Sequence, residues 1–359
     1  MLQDIVKGHK SRRGGDIVLA VVVWLAMGTD PTPATELSVL AWCDHLDRAL
    51  LTPFEERHQV RVNVKSYDVP GTAFATIEQS RPGDWDVFAF DSVDAPRIIA
   101  QGLLAPLPRE AFDFDRLFPA LRDIPLHRQG ETLYAMPEKF GYASLAFNAT
   151  RVESSAIDTL ATLWDPRYRG RIAIFDYHVP IINMVAIALG LTPDEITLET
   201  LPRIGERLFA LRAQAALVGD VISVQTALVT GEVDIVVGGS EYVVANLHAE
   251  RPELDWTLPR DGGLRWMQSI GVFADSQQPD LALAFVQYFL SPEGQAQLAT
   301  STCFWAMPVN RQTPLSESQK QALRWEQQPT YIANSYLQKV PSPELDAAMI
   351  ELWLEFLSR

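Results

Sequence analysis

The sequence predicts an α/β protein built from two lobes that are joined by two crossover strands. Three observations support this prediction. The chain has 359 residues, which is long for a single hydrophobic core. Strand-like and helix-like segments alternate in both halves, as is typical of mostly parallel sheets with helices on both faces. Two extended segments, Tyr134–Asn148 and Leu264–Phe273, interrupt the alternation and are placed to pass between the lobes.

The first half of the chain alternates between strand and helix three times. The clearest strand is Val60–Tyr67, in which Val60, Val62 and Val64 alternate with polar residues. The predicted order is strand Leu37–Trp42, helix Leu46–Arg57, strand Val60–Tyr67, helix Thr72–Gln79, strand Asp86–Phe90 and helix Ala95–Gln101. We assign residues 35–137 and 268–309 to the first lobe.

The first crossover contains a joint between two extended runs. Pro137 restricts the backbone on one side, and Gly141 gives it conformational freedom on the other. The run that follows, Tyr142–Phe147, is apolar and ends at Asn148. This arrangement is what a connection between two lobes requires.

The second half repeats the alternation and ends in helices. The predicted order is helix Leu160–Trp164, strand Arg171–Phe175, helices Ile181–Leu189 and Leu201–Ala213, strand Val233–Val237 and helix Glu241–Ala249, followed by helices Leu281–Leu290, Pro292–Ala299 and Leu345–Leu357. We assign residues 138–267 and 310–359 to the second lobe.

The N-terminus has the pattern of a secretory signal peptide. Lys7, Lys10, Arg12 and Arg13 form a basic leader before the uncharged run Ile17–Met27, which is short for a bilayer span. We therefore expect residues 1–28 to be removed during export, which predicts a periplasmic protein. A buried N-terminal helix or an uncleaved anchor is the alternative.

Charge and cysteine content narrow the class of protein. The formal net charge is −15, and no basic block follows the leader, which argues against a nucleic-acid partner. An exported chain with two cysteines, Cys43 and Cys303, can form one disulfide or keep two separate buried thiols, and the sequence leaves both open.

No catalytic, nucleotide or metal motif is present. Gly238-Gly239 lacks the third glycine of a dinucleotide fingerprint, and no Gly-x-Ser-x-Gly segment occurs. The six histidines do not have the spacing of a metal site. We therefore predict a protein that is not an enzyme and that has no cofactor or metal.

Aromatic, acidic and polar residues follow the predicted strands, where open α/β sheets bind ligands, or lie on the return crossover. Aromatic faces together with carboxylates suit an organic cation. We therefore expect one interlobe cleft with ligand-binding residues from both lobes. The candidates are Trp42, Asp44, His45, Asp91, Ser92, Tyr177, Ser240, Glu241, Trp266 and Gln268.

Each candidate also has a purely structural interpretation. The two tryptophans could belong to the core, and Asp91 could cap the helix that follows it. Ser240 and Glu241 have residue types that any helix N-terminus favours, and His45, like His178, could be structural.

The chain resembles the periplasmic polyamine (spermidine/putrescine)-binding proteins of ABC importers, within the extracellular solute-binding proteins. The most specific segment is Leu-Trp-Asp-Pro-x-Tyr-x-Gly at residues 163–170. The other residues that carry the resemblance are Trp42 and Asp44, Tyr134-Ala135-Met136-Pro137, Gly141, Phe147-Asn148, Arg171, Met184–Gly190, Gly231-Glu232-Val233, Gly262-Gly263, Trp266-Met267 and Pro308-Val309-Asn310.

The resemblance implies a two-lobe periplasmic binding protein of type II that closes on its ligand like a hinge. It implies a monomeric receptor that captures a small amine-like or polar organic solute and passes it to an inner-membrane permease, with Trp42 and Trp266 as aromatic walls. An exported sensor domain or an exported enzyme is the alternative.

Several positions depart from the family's binding pattern. An acidic residue of the family is replaced by Gln268, an acidic pair by Tyr177 and Pro180, an aromatic by Val237, a glutamate by Asp44 and a tyrosine by His45. Asp91 and Glu241 are candidate replacement charges. With fewer carboxylates than a diamine needs, the site is expected to favour a monoamine or a zwitterion over spermidine.

Overall fold

The computed structural model describes residues 35–359, so the predicted signal peptide, residues 1–28, lies outside the described residues. The strands in this part of the chain are β1 Thr35–Ala41, β2 Val60–Ser66, β3 Val87–Asp91, β4 Arg128–Gln129, β5 Thr132–Leu133, β6 Met136–Ala143, β7 Leu145–Asn148, β8 Ile172–Phe175, β9 Ala215–Gly219, β10 Ile235–Val237, β11 Leu254–Thr257, β12 Gly263–Val272, β13 Met307–Pro308 and β14 Ser335–Leu337. The α-helices are α1 Arg48–His58, α2 Pro70–Gln79, α3 Ala95–Ala100, α4 Ser154–Ile157, α5 His178–Ala188, α6 Leu201–Arg212, α7 Val221–Thr230, α8 Glu241–Val244, α9 Pro279–Leu290, α10 Pro292–Ala299, α11 Glu317–Ala322, α12 Gln328–Ala333 and α13 Pro343–Ser358.

The first sheet has the strand order β13-β6-β12-β3-β1-β2, and β14 pairs with the start of β12. Its β-α-β unit is parallel: Val39 in β1 lies opposite Val64 in β2 and Val87 in β3. Helix α1 connects β1 to β2 and buries Leu50 and Phe54 against the sheet. This half of the fold follows the alternation that the sequence predicts.

The second sheet has the strand order β11-β7-β10-β8-β9. Its core contains the strand residues Ile172, Ile174 and Val237 together with Trp353 and Phe356 of the C-terminal helix α13. The predicted amphipathic terminal helix is therefore present, and it packs on this sheet.

Both sheets are mixed, whereas the sequence predicted mostly parallel sheets. In the first sheet β12 runs antiparallel to both β3 and β6. In the second sheet β7 runs antiparallel to both β10 and β11. The antiparallel pairs come from the strands that connect the sheets, because a strand that returns from the other sheet enters in the opposite direction.

The chain passes directly from one sheet to the other at the two predicted crossovers. A single residue, Ser144, separates β6 of the first sheet from β7 of the second. The return runs from β11 in the second sheet to β12 in the first. Strand β14 belongs to the first sheet although it lies in the segment 310–359 that was assigned to the second lobe. The exact lobe boundaries stay a prediction.

Strand β9 and helix α7, which contributes Val221, Ile222 and Gln225 to the cavity described below, were not assigned from the sequence. Strand β9 is short and only partly buried, and helix α7 follows it directly. Asp220 caps α7 by accepting a hydrogen bond from Ser223 N, and Gly231 ends the helix with φ of 76°. These turn residues mark both ends of α7 in the sequence.

Cys43 and Cys303 form a disulfide whose Cα atoms lie 6.0 Å apart, which settles the alternative that the sequence left open. No α-helix within residues 35–359 has the length and apolar character needed to span a lipid bilayer.

Candidate ligand-binding site

A cavity of about 480 Å³ lies where the carboxyl ends of strands from both sheets meet. The first sheet contributes Trp42 after β1, Asp91 at the end of β3 and Gln268 on β12. The second sheet contributes Tyr177 after β8 and Tyr242 on the helix after β10. The strand order alone therefore brings residues that are distant in sequence to one place.

Aromatic rings form a continuous wall of this cavity. The rings follow one another in the order Tyr177, Phe175, Tyr242, Trp266 and Phe304. Each contacts the next edge to face, with 6.1–6.4 Å between neighbouring ring centroids. The wall joins the two sheets, because the first three rings belong to the second sheet and Trp266 lies on a crossover strand. Its ring faces offer the negative electrostatic surface that attracts an organic cation.

Asp91 and Gln268 lie directly opposite each other on β3 and β12. The Asp91 side chain does not cap the helix that follows it, and neither a cation nor a donor from residues 35–359 lowers its pKa. The Gln268 side-chain oxygen is buried and has no hydrogen-bond partner among the described residues. The pair therefore presents acceptor oxygens without donors, which is an arrangement suited to an ammonium group.

The electrostatic environment disfavours the charged form of Asp91. Burial, followed by the negative charges of Asp94, Asp44 and Glu138, raises the pKa of Asp91 to about 7. Asp91 is also the one charged side chain among the described residues that line the cavity. A cation that enters the cavity would therefore relieve an unfavourable charge.

The residues next to this pair are fixed by a buried hydrogen-bond cluster. The Ser269 hydroxyl hydrogen-bonds His127 Nε2 at 2.7 Å, and the Ser92 and Ser269 hydroxyls hydrogen-bond each other. Burial lowers the pKa of His127 to about 3, so its imidazole is neutral. The cluster holds the strand ends that carry Asp91 and Gln268. Ser92 lines the cavity margin, as the sequence predicted, but its hydroxyl is occupied within the protein.

Asp44 and His45 do not line the cavity, which corrects the prediction that both face the ligand. Both are fully buried in an ion cluster with Glu138 and Lys139. His45 donates from Nδ1 to Asp44 at 2.8 Å and from Nε2 to Glu138 at 3.2 Å, and Lys139 donates to Asp44 at 2.8 Å. Burial would raise the pKa of Asp44, but Lys139 and His45 hold it below its usual value. The charges of these residues are satisfied by one another.

Ser240 and Glu241 also lie outside the cavity, which corrects a second part of the prediction. Ser240 donates to the carbonyl of Tyr142, and Glu241 Oε1 accepts from the backbone N–H of the same residue at 3.1 Å. Both therefore bind the crossover strand β6. Burial raises the pKa of Glu241 to about 8, and its second oxygen has no partner among residues 35–359.

Sequence reasoning missed part of the site. Tyr242, Phe304 and Phe175 complete the aromatic wall, and Gln225 and Gln338 add neutral amides. Gln338 donates a long hydrogen bond of 3.4 Å to the hydroxyl of Tyr177 across the cleft. Phe175 is the last residue of a predicted strand and Tyr242 lies in the helix after another, so a rule based on strand ends could have found both. Phe304 lies in an irregular segment and carries no such signal.

A cavity between two α/β sheets, lined by aromatic rings and one unpaired carboxylate, is the site expected of a two-lobe solute-binding receptor. The chain belongs to the family of bacterial extracellular solute-binding proteins, whose family model matches residues 49–325. The resemblance that the sequence analysis reached from individual motifs is thereby confirmed.

Several known proteins that are similar to this chain are named for binding spermidine, putrescine or agmatine. The spermidine/putrescine-binding periplasmic protein of Escherichia coli (strain K12) is 21% identical over 281 residues, which covers 77% of this chain and 79% of that protein. The putrescine/agmatine-binding protein of Pseudomonas aeruginosa is 24% identical and covers 72% of this chain and 74% of its own length. A solved substrate-binding protein of a spermidine/putrescine ABC transporter from Streptococcus pneumoniae has a TM-score of 0.79 at 18% identity, covering 90% of this chain and 99% of that one. This last likeness shows the two-lobe α/β fold.

Proposed function

We propose that this receptor captures a small primary amine with a single positive charge and delivers it to the permease of an ABC importer. The observation that carries the proposal is Asp91, an unpaired carboxylate in a cavity lined by aromatic rings. An ammonium group that donates to Asp91 and to Gln268 would satisfy both acceptors with charge-assisted hydrogen bonds.

The number of carboxylates favours one positive charge in the ligand. The other polar side chains among the described cavity residues are neutral, and they include Gln225, Asn246 and Gln338. A second ammonium group would lose part of its hydration without gaining a charged partner, which is costly in a cavity lined mostly by apolar surface. A monoamine therefore fits better than putrescine or spermidine, although similar proteins are named for those diamines and polyamines.

The same reasoning disfavours a zwitterion. No lysine, arginine or histidine occurs among the described residues that line the cavity. A ligand carboxylate would therefore lack a cation and would approach the charge of Asp91. Of the two alternatives that the sequence left open, a monoamine or a zwitterion, the monoamine is the one that the cavity chemistry supports.

The cellular setting is part of the proposal. Similar proteins are named as periplasmic binding proteins, and the apolar segment before residue 28 has the pattern of a signal peptide. We infer that the mature protein is a periplasmic monomer whose two lobes, each built around one of the two sheets, close around the amine. The hinge would then lie at the two crossovers.

A thermal-unfolding series tests the ligand class. Pentylamine and putrescine are isosteric, because a methyl group of one replaces an ammonium group of the other, and γ-aminobutyrate supplies the zwitterion. At pH 8 pentylamine should raise the unfolding midpoint most, since a ligand at a hundred times its dissociation constant adds about 2.7 kcal/mol. A larger increase with putrescine or γ-aminobutyrate would contradict the single-charge proposal.

A further inference from the structure

The disulfide joins two residues that each neighbour an aromatic side chain of the cavity. Cys43 directly follows Trp42, and Cys303 directly precedes Phe304. Cys303 is itself exposed at the cavity wall. The covalent bond therefore connects two parts of the ligand cage that are separated by 260 residues along the chain.

The segment Ser301–Trp305 has no helix or strand to fix its position. Its backbone is held by a few hydrogen bonds: Thr302 N donates to Asp47 at 3.0 Å, and the Phe304 carbonyl accepts from Lys139 Nζ at 3.2 Å and from Ser301 at 3.1 Å. A segment with so few restraints has a low cost of local opening. The position of the Phe304 ring therefore depends on each restraint.

Two consecutive residues after β1 hold this segment in different ways. Cys43 is covalently bonded to Cys303, while Asp44 holds Lys139, whose ammonium lies 3.9 Å from the centroid of the Phe304 ring. The ion cluster is inaccessible to solvent, whereas the disulfide is exposed on its Cys303 side. The covalent restraint is therefore the one that a reagent in solution can remove.

We propose that the Cys43–Cys303 disulfide positions Phe304 as part of the cation-binding wall, and that its reduction by a dithiol lowers the affinity for the amine while the rest of the fold persists. This inference rests on the proposed function, because it concerns the affinity of the same cavity. With Phe304 released, the wall would lose its last ring and the edge-to-face contact with Trp266.

The reaction is a thiol–disulfide exchange. A thiolate of the dithiol attacks one protein sulfur, breaks the bond to the other protein sulfur and forms a mixed disulfide. The second thiol of the same dithiol molecule then displaces the attacked protein sulfur. The dithiol loses two electrons and becomes a cyclic disulfide, while Cys43 and Cys303 gain the two electrons and each end as a protonated thiol. Oxidation by a disulfide reagent reverses the change.

The test compares the oxidised and the dithiothreitol-reduced protein by calorimetry with pentylamine. Reduction should weaken binding roughly threefold to thirtyfold, the range expected for one aromatic contact with a cation. The Phe304→Leu variant keeps the disulfide and lacks the ring, so reduction should not weaken its binding further. The double variant Cys43→Ser/Cys303→Ser should match the reduced protein without any reductant present.

Hydrogen exchange without any amine gives a second readout. The amides of Thr302 and Ala306 should exchange faster after reduction, while those of β1 and β3 should not change. Any one of three results would overturn the positioning role. Pentylamine affinity could be equal in both redox states, or reduction could weaken binding as much in Phe304→Leu as in the wild type. The third result is unchanged exchange at Thr302 and Ala306. An oxidised protein that binds no pentylamine would instead contradict the proposed function, and exchange would still report whether the disulfide holds the segment.

Discussion

At the residue scale, Asp91 combines an unfavourable environment with a position at the centre of the candidate site. Its pKa is raised to about 7 by burial and by neighbouring carboxylates, and it lies opposite the unpartnered oxygen of Gln268. Groups with such shifted pKa values are concentrated at functional sites. The charge of Asp91 therefore reduces the stability of the empty receptor and favours a bound cation.

The stability of the ligand-free protein should report this charge. Because the folded-state pKa of Asp91 lies above its unfolded value of 3.8, the folded state binds more protons between about pH 4 and 7. The contribution of Asp91 to stability therefore decreases as pH rises through this window. Asp91→Asn should be more stable than the wild type at pH 8 in urea unfolding, and the difference should vanish below pH 4. A variant that is less stable than the wild type at pH 8 would contradict this account of Asp91.

The affinity for an amine should also depend on pH. Binding requires the ionised form of Asp91, so the pentylamine dissociation constant should rise about tenfold per pH unit as the pH falls below the Asp91 pKa of about 7. Calorimetry between pH 5.5 and pH 8.5 measures this dependence. Affinity that stays constant over this range would show that Asp91 does not hold the ammonium group.

Lys139 provides a contrasting case of a buried charge that is paired. It donates to Asp44 at 2.8 Å inside the ion cluster, so Lys139→Met would leave Asp44 and Glu138 with only His45 as a cation. Removal of one partner from such a cluster costs about 3–5 kcal/mol. Urea unfolding should therefore show a large loss of stability. Lys320→Met, which removes an exposed ion pair with Glu317, is the matched control and should leave the unfolding midpoint almost unchanged.

At the element scale, the crossover strand β6 is held between a tryptophan and a carboxyl group. Trp266 lies opposite Gly141 on the neighbouring strand, and Glu241 approaches Gly141 from the second sheet. A side chain at position 141 would overlap both groups. The glycine that the sequence suggested as a flexible joint is therefore required chiefly for close packing.

Gly141→Ala should displace Trp266 and weaken both the fold and the site. Overpacking of this kind costs about 1–3 kcal/mol, and pentylamine affinity should fall because the aromatic wall moves. The matched control is Gly71→Ala in α2, where an added Cβ meets no atom within 4 Å and helix propensity favours alanine. Thermal unfolding and calorimetry on both variants measure the two effects. Wild-type affinity in Gly141→Ala would show that Trp266 is not held by this contact.

Some elements could be predicted from sequence because their signals are local. The alternation in Val60–Tyr67 and the capped start of Pro292–Ala299 are properties of neighbouring residues, and both elements are present. The direction in which β12 enters its sheet is not a local property, and the mixed sheets were therefore missed. Short β9 and helix α7 were missed although both are largely apolar, and the turn residues Asp220 and Gly231 mark the two ends of α7 in the sequence.

The same distinction explains the candidate site. Position after a strand for Trp42, Asp91 and Tyr177, and position on a crossover for Trp266 and Gln268, selected residues that line one cavity. The rule could not tell that Asp44 would be neutralised by Lys139 and His45, because those partners depend on packing. Nor could it tell that Ser240 and Glu241 would bind the crossover strand instead of a ligand.

At the scale of the whole molecule, strand order brings the site residues together, and the two connections between the sheets are the places where the width of the cavity could change. The chain crosses from β6 to β7 through one residue and returns from β11 to β12, which carries Trp266 and Gln268. A movement of the two sheets about these crossovers would change the distance between Asp91 and the aromatic residues of the second sheet. Such a movement is the hinge closure by which two-domain proteins enclose a ligand.

Calorimetry at pH 8 with pentylamine and putrescine, on the wild type and on Asp91→Asn, tests the central claim most directly. We expect the wild type to bind pentylamine more tightly than putrescine, and Asp91→Asn to bind pentylamine at least about thirtyfold more weakly, since loss of a desolvated charge partner costs roughly 2–5 kcal/mol. Asp94→Asn removes the same charge three residues further along the chain and outside the cavity lining, and it should retain binding. Tighter binding of putrescine, together with unchanged affinity in Asp91→Asn, would contradict the claim that this receptor recognises a monocation through Asp91.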